Sequence, residues 1–510
     1  MRRALLIAAL VLLALVAAIG LVARRMLDRE AVRSALEQQA SAVIGHPVKV
    51  ASVDWALSMR PRLVLSSIRV GEPPAITVDR IELSTGLRAL LSKRVAGAGI
   101  VVSGSHLTLP LPIAFAADTP PAPGGAADPA GGATAFAIDS IDRISLEDIE
   151  LDAHGRRLRL DLESSLEGDR LTVSSLRLQS DRTKVTARGD MISLEQRQGA
   201  FTATADPLDL DELLAIASGL SGPRPPATSS APATQARVAA QPPLDVRVNI
   251  EAPRGRIVGI DFANLATTLA LTRGGVTLEP FAVGVFDGKL TGRLHLDTTT
   301  TSPQTALSAE VAALDAARLA AFAGSSGVLT GRLSGQVVLG ASGTTAANVF
   351  ETARGRAAVG VTDGTMPGLD LVGPVVLAFG KPDPSKTTAS SRAFSRLGGT
   401  FTLANGVLQS TDLSLTSRDV DLSGRGTLRV VGAVADVHAD LTLSEALSAQ
   451  AGRDLVRYAR QGSRVVLPAI ITGPLASPTV FIDIRAAAQR ALRNEMEDQI
   501  KKAFGRFKKP

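Results

Sequence analysis

Residues 265–296 and 397–428 of this chain align over their whole length without a gap. The first stretch reads LATTLALTRGGVTLEPFAVGVFDGKLTGRLHL and the second LGGTFTLANGVLQSTDLSLTSRDVDLSGRGTL. Leu265/Leu397, Thr268/Thr400, Leu271/Leu403, Gly274/Gly406, Asp287/Asp419, Leu290/Leu422, Gly292/Gly424, Arg293/Arg425 and Leu296/Leu428 are identical pairs. A looser copy starts near Leu160 and keeps Leu166, Leu171, Leu176, Leu178, Val185, Arg188 and Gly189 in the same register. Repetition of this kind means that one supersecondary piece is stacked several times. Stacked units make extended surfaces, which bind more often than they catalyse.

Within each copy apolar and polar residues alternate with a period of two, as at Leu413, Leu415, Val420 and Leu422, or Leu176 and Leu178. That is the pattern of a half-buried strand rather than a helix. Asn405-Gly406, Asp363-Gly364 and Asp287-Gly288 stand between alternating runs. Such dipeptides suit type I′ hairpins, whose two central residues need positive φ. The chain therefore reads as antiparallel hairpins laid side by side. Aromatic residues make up only 3%, with Trp55 and Tyr458 single examples of their kind, so the apolar faces are built from Leu, Val, Ile and Ala. An ordinary core covered by a second sheet and an aliphatic groove open to flexible apolar ligands both fit that composition.

Met1-Arg2-Arg3 precedes an uncharged apolar run from Ala4 to Ala23, closed by Arg24-Arg25. Twenty helical residues at ~1.5 Å each span about 30 Å, the thickness of a hydrocarbon core. A retained transmembrane anchor over residues 1–25 is the reading adopted, with a cleaved signal peptide ending near Ala18-Ile19-Gly20 as the alternative. A short basic N-terminus ahead of a large domain stays cytoplasmic, which sends the bulk of the chain across the membrane. The sequence has no cysteine, which excludes disulfides, zinc–thiolate sites and thiol catalysis. Its 55 basic and 49 acidic residues nearly balance, and no basic stripe interleaved with aromatics appears, so a nucleic-acid partner is not expected.

No catalytic or metal motif stands out. The five histidines (His46, His106, His154, His295, His438) are scattered, and there is no zinc-protease, serine-elbow or phosphate-loop pattern. Glu147, Asp148, Glu150 and Asp152 alternate with Leu146, Ile149 and Leu151 as the wet face of a strand would. Asp206, Asp209, Asp211 and Glu212 suit a helix start, where carboxylates meet the dipole. The chain is not read as an enzyme, and no cofactor or metal is expected.

Along the chain, residues 26–115 read as a helix (Met26 to Ile44) followed by a β block with a short helical insert near 86–92. Residues 116–135 and 221–243 are Pro/Gly/Ala-rich linkers expected to be disordered. They set off a middle β block at 136–220 and a C-terminal one at 244–484. Short helices are expected at 207–219, capped by Asp206, at 313–323 and at 444–461. Residues 485–510 read as a basic amphipathic helix, with Leu492, Met496, Ile500, Phe504 and Phe507 on one side. Docking on the sheet and binding to an anionic membrane or a partner protein both fit it.

Several of these stretches together resemble the AsmA family of bacterial envelope proteins. The N-terminal ones are the anchor, IGHPVKVASVDWAL, PRLVLSSIRVGEPPAITVDRIEL and GIVVSGSHLTL. The C-terminal ones are GRAAVGVTDGTMPGLDLV, the second repeat copy, and VVLPAIITGPLASPTVFIDI with its basic tail. The likeness covers most of 1–112 and 245–490. It implies a mainly β protein: an N-terminal transmembrane helix, then an elongated, curved antiparallel sheet with an apolar groove and few short helices. It further implies an inner-membrane anchor with the bulk in the periplasm, phospholipids as partners, and a part in lipid transport and outer-membrane homeostasis. Envelope or outer-membrane proteins are the expected partners of the C-terminal helix. The lipid-groove candidates are Leu271, Leu290, Leu403, Leu413, Leu415 and Leu422. Inward positions read as aliphatic except for breaks at Arg293 and Arg425. The alternative function is a scaffold that modulates outer-membrane protein assembly without carrying lipid.

Overall fold

Period-two alternation becomes strand after strand. The computed structural model describes residues 29–44, 46–56, 60–71, 75–86, 94–109, 137–153, 155–220, 244–300, 302–343, 346–378, 392–449, 459–483, 485, 486, 489 and 496. They fall into two units, Met1–Arg273 and Gly274–Pro510. The fold is mainly β with mixed strand pairing and few short helices.

The first unit runs α1 (Arg29–Ile44), β1 (Val48–Ala56), β2 (Arg62–Val70), β3 (Ile76–Ser84), β4 (Arg94–Val95), β5 (Ala98–Leu109), β6 (Ala137–Ile138), β7 (Ser140–Ala153), β8 (Arg156–Glu167), β9 (Arg170–Gln179), β10 (Lys184–Ser193), β11 (Gln198–Ala205), β12 (Leu208–Asp209), α2 (Leu210–Leu220), β13 (Asp245–Ile257) and β14 (Ile260–Thr272). The second runs β15 (Gly275–Val285), β16 (Gly288–Asp297), β17 (Gln304–Asp315), α3 (Ala316–Phe322), β18 (Arg332–Ser342), α4 (Ala346–Thr352), β19 (Arg354–Thr365), α5 (Val372–Ala378), β20 (Ala393–Ala404), β21 (Val407–Thr416), β22 (Val420–Arg429), β23 (Val434–Leu443), α6 (Glu445–Ser448), β24 (Arg460–Gln461), β25 (Arg464–Pro474) and β26 (Thr479–Ile482). The second unit is a ladder of antiparallel neighbours from β15 through β23 to β25 and β26.

The first unit departs from the expected all-antiparallel hairpins at two steps of its main sheet, and the short β4 and β6 pair in parallel beside it. β5 pairs with β7, and β11 with β13, in parallel. The cause is connection length. A two-residue turn can only reverse the chain, whereas parallel neighbours need a crossover of a dozen residues or more. The segments between these strands, 110–139 and 206–244, are long enough, and each contains one of the Pro/Gly-rich linkers. Those linkers, the expected membrane span at 4–23 and all but the first residue of the insert expected at 86–92 lie outside the described residues, as does most of 485–510. Among the described residues no helix is long and apolar enough to cross a membrane.

Turn chemistry is borne out at one site, shifted at a second and absent from the third. Asn405 (φ 51°) and Gly406 (φ 70°) form the two-residue turn between β20 and β21, with Ala404 opposite Val407. At β15–β16 the left-handed pair is Phe286–Asp287, and Gly288 already faces Val285. Asp363 (φ 51°) lies inside β19, just before Gly364, which stands opposite Phe394, so Asp363-Gly364 is an irregularity in a strand and not a hairpin tip.

α1 covers the β1 end of the first unit's sheet. Leu36, Ala40 and Ile44 of α1 pack on the core formed by Val48, Val50, Val53, Leu63, Ile81 and Leu83. The same helix caps the free edge of β1, because Val48 N–H donates to Ser41 Oγ (2.8 Å) and Val50 N–H to Glu37 Oε1 (2.8 Å). The cap of α2 is Asp209, whose Oδ1 accepts from Glu212 N–H at 2.9 Å, rather than Asp206. β12 first pairs with β13, which delays the helix by three residues, and Asp206 instead takes Arg254 at 2.6 Å. Asp315 caps α3 as an N-cap should, accepting from Ala317 and Arg318 N–H. The helix expected over 444–461 is short in its described part, Glu445–Ser448, and Arg460–Gln461 pair with β25 instead. α4 and α5 were not foreseen.

Candidate functional site

Strand alternation puts every second side chain on one face, and the register lines those side chains up across strands. In the first unit Val53, Leu65, Ile81, Val102, Leu146, Leu162, Leu176 and Ala187 stand directly opposite one another in turn across β1, β2, β3, β5, β7, β8, β9 and β10. The row continues through Ala203 and Ile250 to Thr267. It crosses both parallel steps without losing register.

The second unit has rows of the same kind. Leu278, Leu294, Leu307, Leu339, Gly355, Leu403, Leu408 and Leu428 face one another across β15 to β22. Three same-face positions away, Leu314, Leu333, Val361, Leu397, Leu415, Leu422, Leu441 and Leu467 do so across β17 to β25. These rows carry no charged side chain. At ~4.8 Å per strand, each of these eight-strand rows extends over about 34 Å.

Charge goes to the other face. Arg159 pairs there with Glu150 and Asp148 (2.9 Å each), and Arg143 with Glu163 at 3.3 Å. Within the second unit, Arg293 and Arg425 stand on the face opposite that unit's own aliphatic rows, which corrects the expectation that they interrupt them. Arg293 lies between Gly292 and Leu294, stands opposite Ser308 and pairs with Glu279; Arg425 lies between two glycines, opposite His438. The residues that thin the aliphatic face are small: Gly292, Gly424 and Gly426, with the buried hydroxyl of Ser410. A Cβ on Gly424 would come within 2.4 Å of the His438 carbonyl oxygen, so close strand approach demands glycine there.

Both repeat copies carry a bulge at the same place, between Leu278 and Phe281 in one and between Ser410 and Leu413 in the other. In the second copy Asp412 ties the bulge down, accepting from Thr400 N–H at 2.7 Å and Ser410 Oγ at 3.0 Å. The Thr400 N–H, then the Thr400 and Ser410 hydroxyls, hold this carboxyl below its ordinary range. The first copy has Pro280 at the matching position.

Part of the second unit's aliphatic face is covered. The segment from Met366 through α5 packs Met366, Leu369, Leu371, Val372 and Val375 onto Val361, Leu415, Leu422, Leu441 and Leu467, and Leu447 of α6 joins them. Asp370 caps α5 through Val372 and Gly373 N–H. Gly368 lies so close to the β25–β26 turn that an added Cβ would be 2.3 Å from the Ala476 carbonyl oxygen. Beneath this cover is a cavity of about 320 Å³. Val328, Leu329, Met366, Leu369 and Leu475 close it from above; Leu333, Leu397, Phe401, Leu413, Leu415 and Leu422 are among its sheet residues.

Three of the six candidates, Leu413, Leu415 and Leu422, thus meet at one cavity. Leu403 stands on the same face opposite Leu408, which also lines it. Leu290 is on that face too, half-buried between Val283 and Val311. Leu271 belongs to the first unit, opposite Val246, and is 36% exposed. The cover residues Met366, Leu369 and Leu475 were missed, since nothing periodic marks a loop that folds back. Among the described residues no group of three or more His, Asp or Glu is placed to hold a metal. His106, His295 and His438 stand on separate strands.

Residues 220–413 match the family model described as the AsmA family. The match supports an AsmA-family assignment. It takes in β13 to β20 and most of β21, and so includes Leu271, Leu290, Leu403 and Leu413. The AsmA-like resemblance of residues 1–112 lies outside it. No curated protein and no solved structure matches the chain.

Proposed function

We propose that this protein holds lipid acyl chains against its aliphatic rows, head groups in water, and supports lipid transport between membranes of the envelope. The observation that carries this reading is the row itself: a line of Leu, Ile and Val running from strand to strand, with ionic pairs confined to the opposite face. The AsmA-family match agrees with it. Laying a chain of ~16 carbons on such a face removes over 10 kcal/mol of apolar hydration at ~0.8 kcal/mol per CH₂. A bilayer supplies nearly the same surroundings, so the exchange is close to neutral and a lipid can enter and leave. Similar rungs at each strand also allow sliding. In this reading residues 4–23 anchor the protein in the inner membrane and the β units lie in the periplasm.

The test is lipid content. Residues 27–510 omit none of the described elements, the first of which begins at Arg29. Exported, purified and extracted for mass spectrometry beside an unrelated periplasmic β-protein, they are expected to carry several phospholipids per chain. Folded, lipid-free protein overturns the reading and turns the search to the protein partners of a scaffold.

A further inference from the structure

The aliphatic rows of the second unit do not have the same surroundings throughout. Leu290, Leu294 and Leu307 are half-buried. So are Leu403, Leu408 and Leu428 farther along the Leu294–Leu307 row, whereas in the neighbouring row Leu314, Leu415 and Leu422 are 5% exposed and Leu441 and Leu467 fully buried, the last four in one core with the 366–378 segment and Leu447. A path at β21 and β22 from the half-buried row at Leu408 and Leu428 toward the buried row at Leu415 and Leu422 therefore leads under a cover and stops against packed side chains.

The cavity at that point has a definite capacity. An apolar cavity of about 150 Å³ accepts one benzene, so about 320 Å³ has room for roughly a dozen carbons. That is most of one acyl tail and far short of two. Its lining has no charged side chain to meet a head group, and the Ser410 hydroxyl is engaged with Asp412. A head group placed inside would lose its hydration without gaining a partner.

We infer that the second unit has a seat for a single acyl tail, bounded by Leu413, Leu415 and Leu422 of the sheet and Met366, Leu369 and Leu475 of the cover and open on one side. This rests on the acyl-chain reading above, but it makes the covered stretch a stopping place that holds one tail and not a further length of open path. The tail is that of a fatty acid or one of the two in a phospholipid.

The experiment uses the full chain and a 16-carbon fatty acid with a terminal diazirine, followed by light and peptide mapping. Labelling within Val407–Thr416 is expected to saturate at one probe per chain. Labelling within Gly288–Asp297 is expected to keep rising with probe concentration. Ala435→Phe, which fills the cavity from the sheet side, is expected to cut labelling of the first peptide at least tenfold and leave the second unchanged. Three results overturn the seat and leave the acyl-chain face standing: label on 288–297 with none on 407–416; label on both that rises together without saturating; or undiminished label on 407–416 in folded Ala435→Phe protein. Label on neither peptide overturns both. Repeating the mapping with phospholipid vesicles whose lipid carries the diazirine on one tail identifies the source. Saturating label supports the seat for a phospholipid tail, and its absence beside fatty-acid labelling assigns the seat to free single-chain lipid.

Discussion

Leu290 and Leu422 occupy the same position in two copies of one repeat, point to the same face and pair with branched or leucine neighbours, yet their surroundings differ. Leu290 is half-buried on β16, whereas Leu422 is 5% exposed beneath the segment that follows β19. The repeat encodes strand, register, face and even the site of a bulge. What lies on the face is decided by non-repeated sequence far away in the chain. An aliphatic side chain in this protein is therefore core or binding surface according to cover, not according to its own identity.

The sharpest way to break that equivalence is to place a charge at both positions. Leu422→Asp buries an unpaired carboxylate and is expected to destabilise the second unit by about 3–5 kcal/mol, measured by denaturant unfolding. Leu290→Asp, half in water, is expected to cost about 1 kcal/mol in the same measurement. Equal costs would mean that the cover does not determine burial. Next in size is a functional effect: Leu294→Asp, uncovered and mid-row, is expected to lower co-purifying phospholipid severalfold while leaving a folded protein. Full lipid content in folded Leu294→Asp would count against the open face.

A smaller difference concerns pH. The folded Asp412 carboxyl is held below its ordinary value, so the ionised form favours folding. That contribution is present in full above the ordinary carboxylate pKa and is lost as pH falls through the lowered folded value. Asp412→Asn should therefore be less stable than the parent at neutral pH, with the gap closing toward strong acid. The first copy, with Pro280 there, has no such titration. A gap that persists unchanged into acid would remove the carboxylate from the account. Smallest of all, Arg293→Ala and Arg425→Ala are expected to change stability by less than about 0.5 kcal/mol, and to leave lipid content unaltered, because both sit on the charged face.

Much of this architecture was legible in advance where local chemistry decides it. Alternation placed Leu413, Leu415 and Leu422 on one face, and Asn405-Gly406 marked its hairpin. The arginines were misassigned because Arg293 follows a glycine and Arg425 lies between two, and a glycine gives no apolar or polar signal by which to count alternation. Asp363-Gly364 looked like a hairpin tip, since a left-handed residue serves a strand irregularity as well as a turn. The cover was illegible for a different reason. Residues 366–378 meet β22 and β25 only through long-range packing, which leaves no period in the sequence.

The two parallel steps bear on the order in which the chain folds. A hairpin turn holds its strands together from the outset, but β5 and β7, or β11 and β13, must find each other across some thirty residues or more. Closing a loop on the order of 30 residues costs about 2 kcal/mol more chain entropy than closing one of two, and contacts so distant in sequence form slowly. The blocks β1–β5, β7–β11 and the one that begins at β13 should thus assemble first as separate meanders. The parallel seams should zip last. Until they do, β5 and β7 each expose an unpaired backbone edge, and the newly made chain passes through a stage in which its own later strands, or those of a neighbour, compete to cover it.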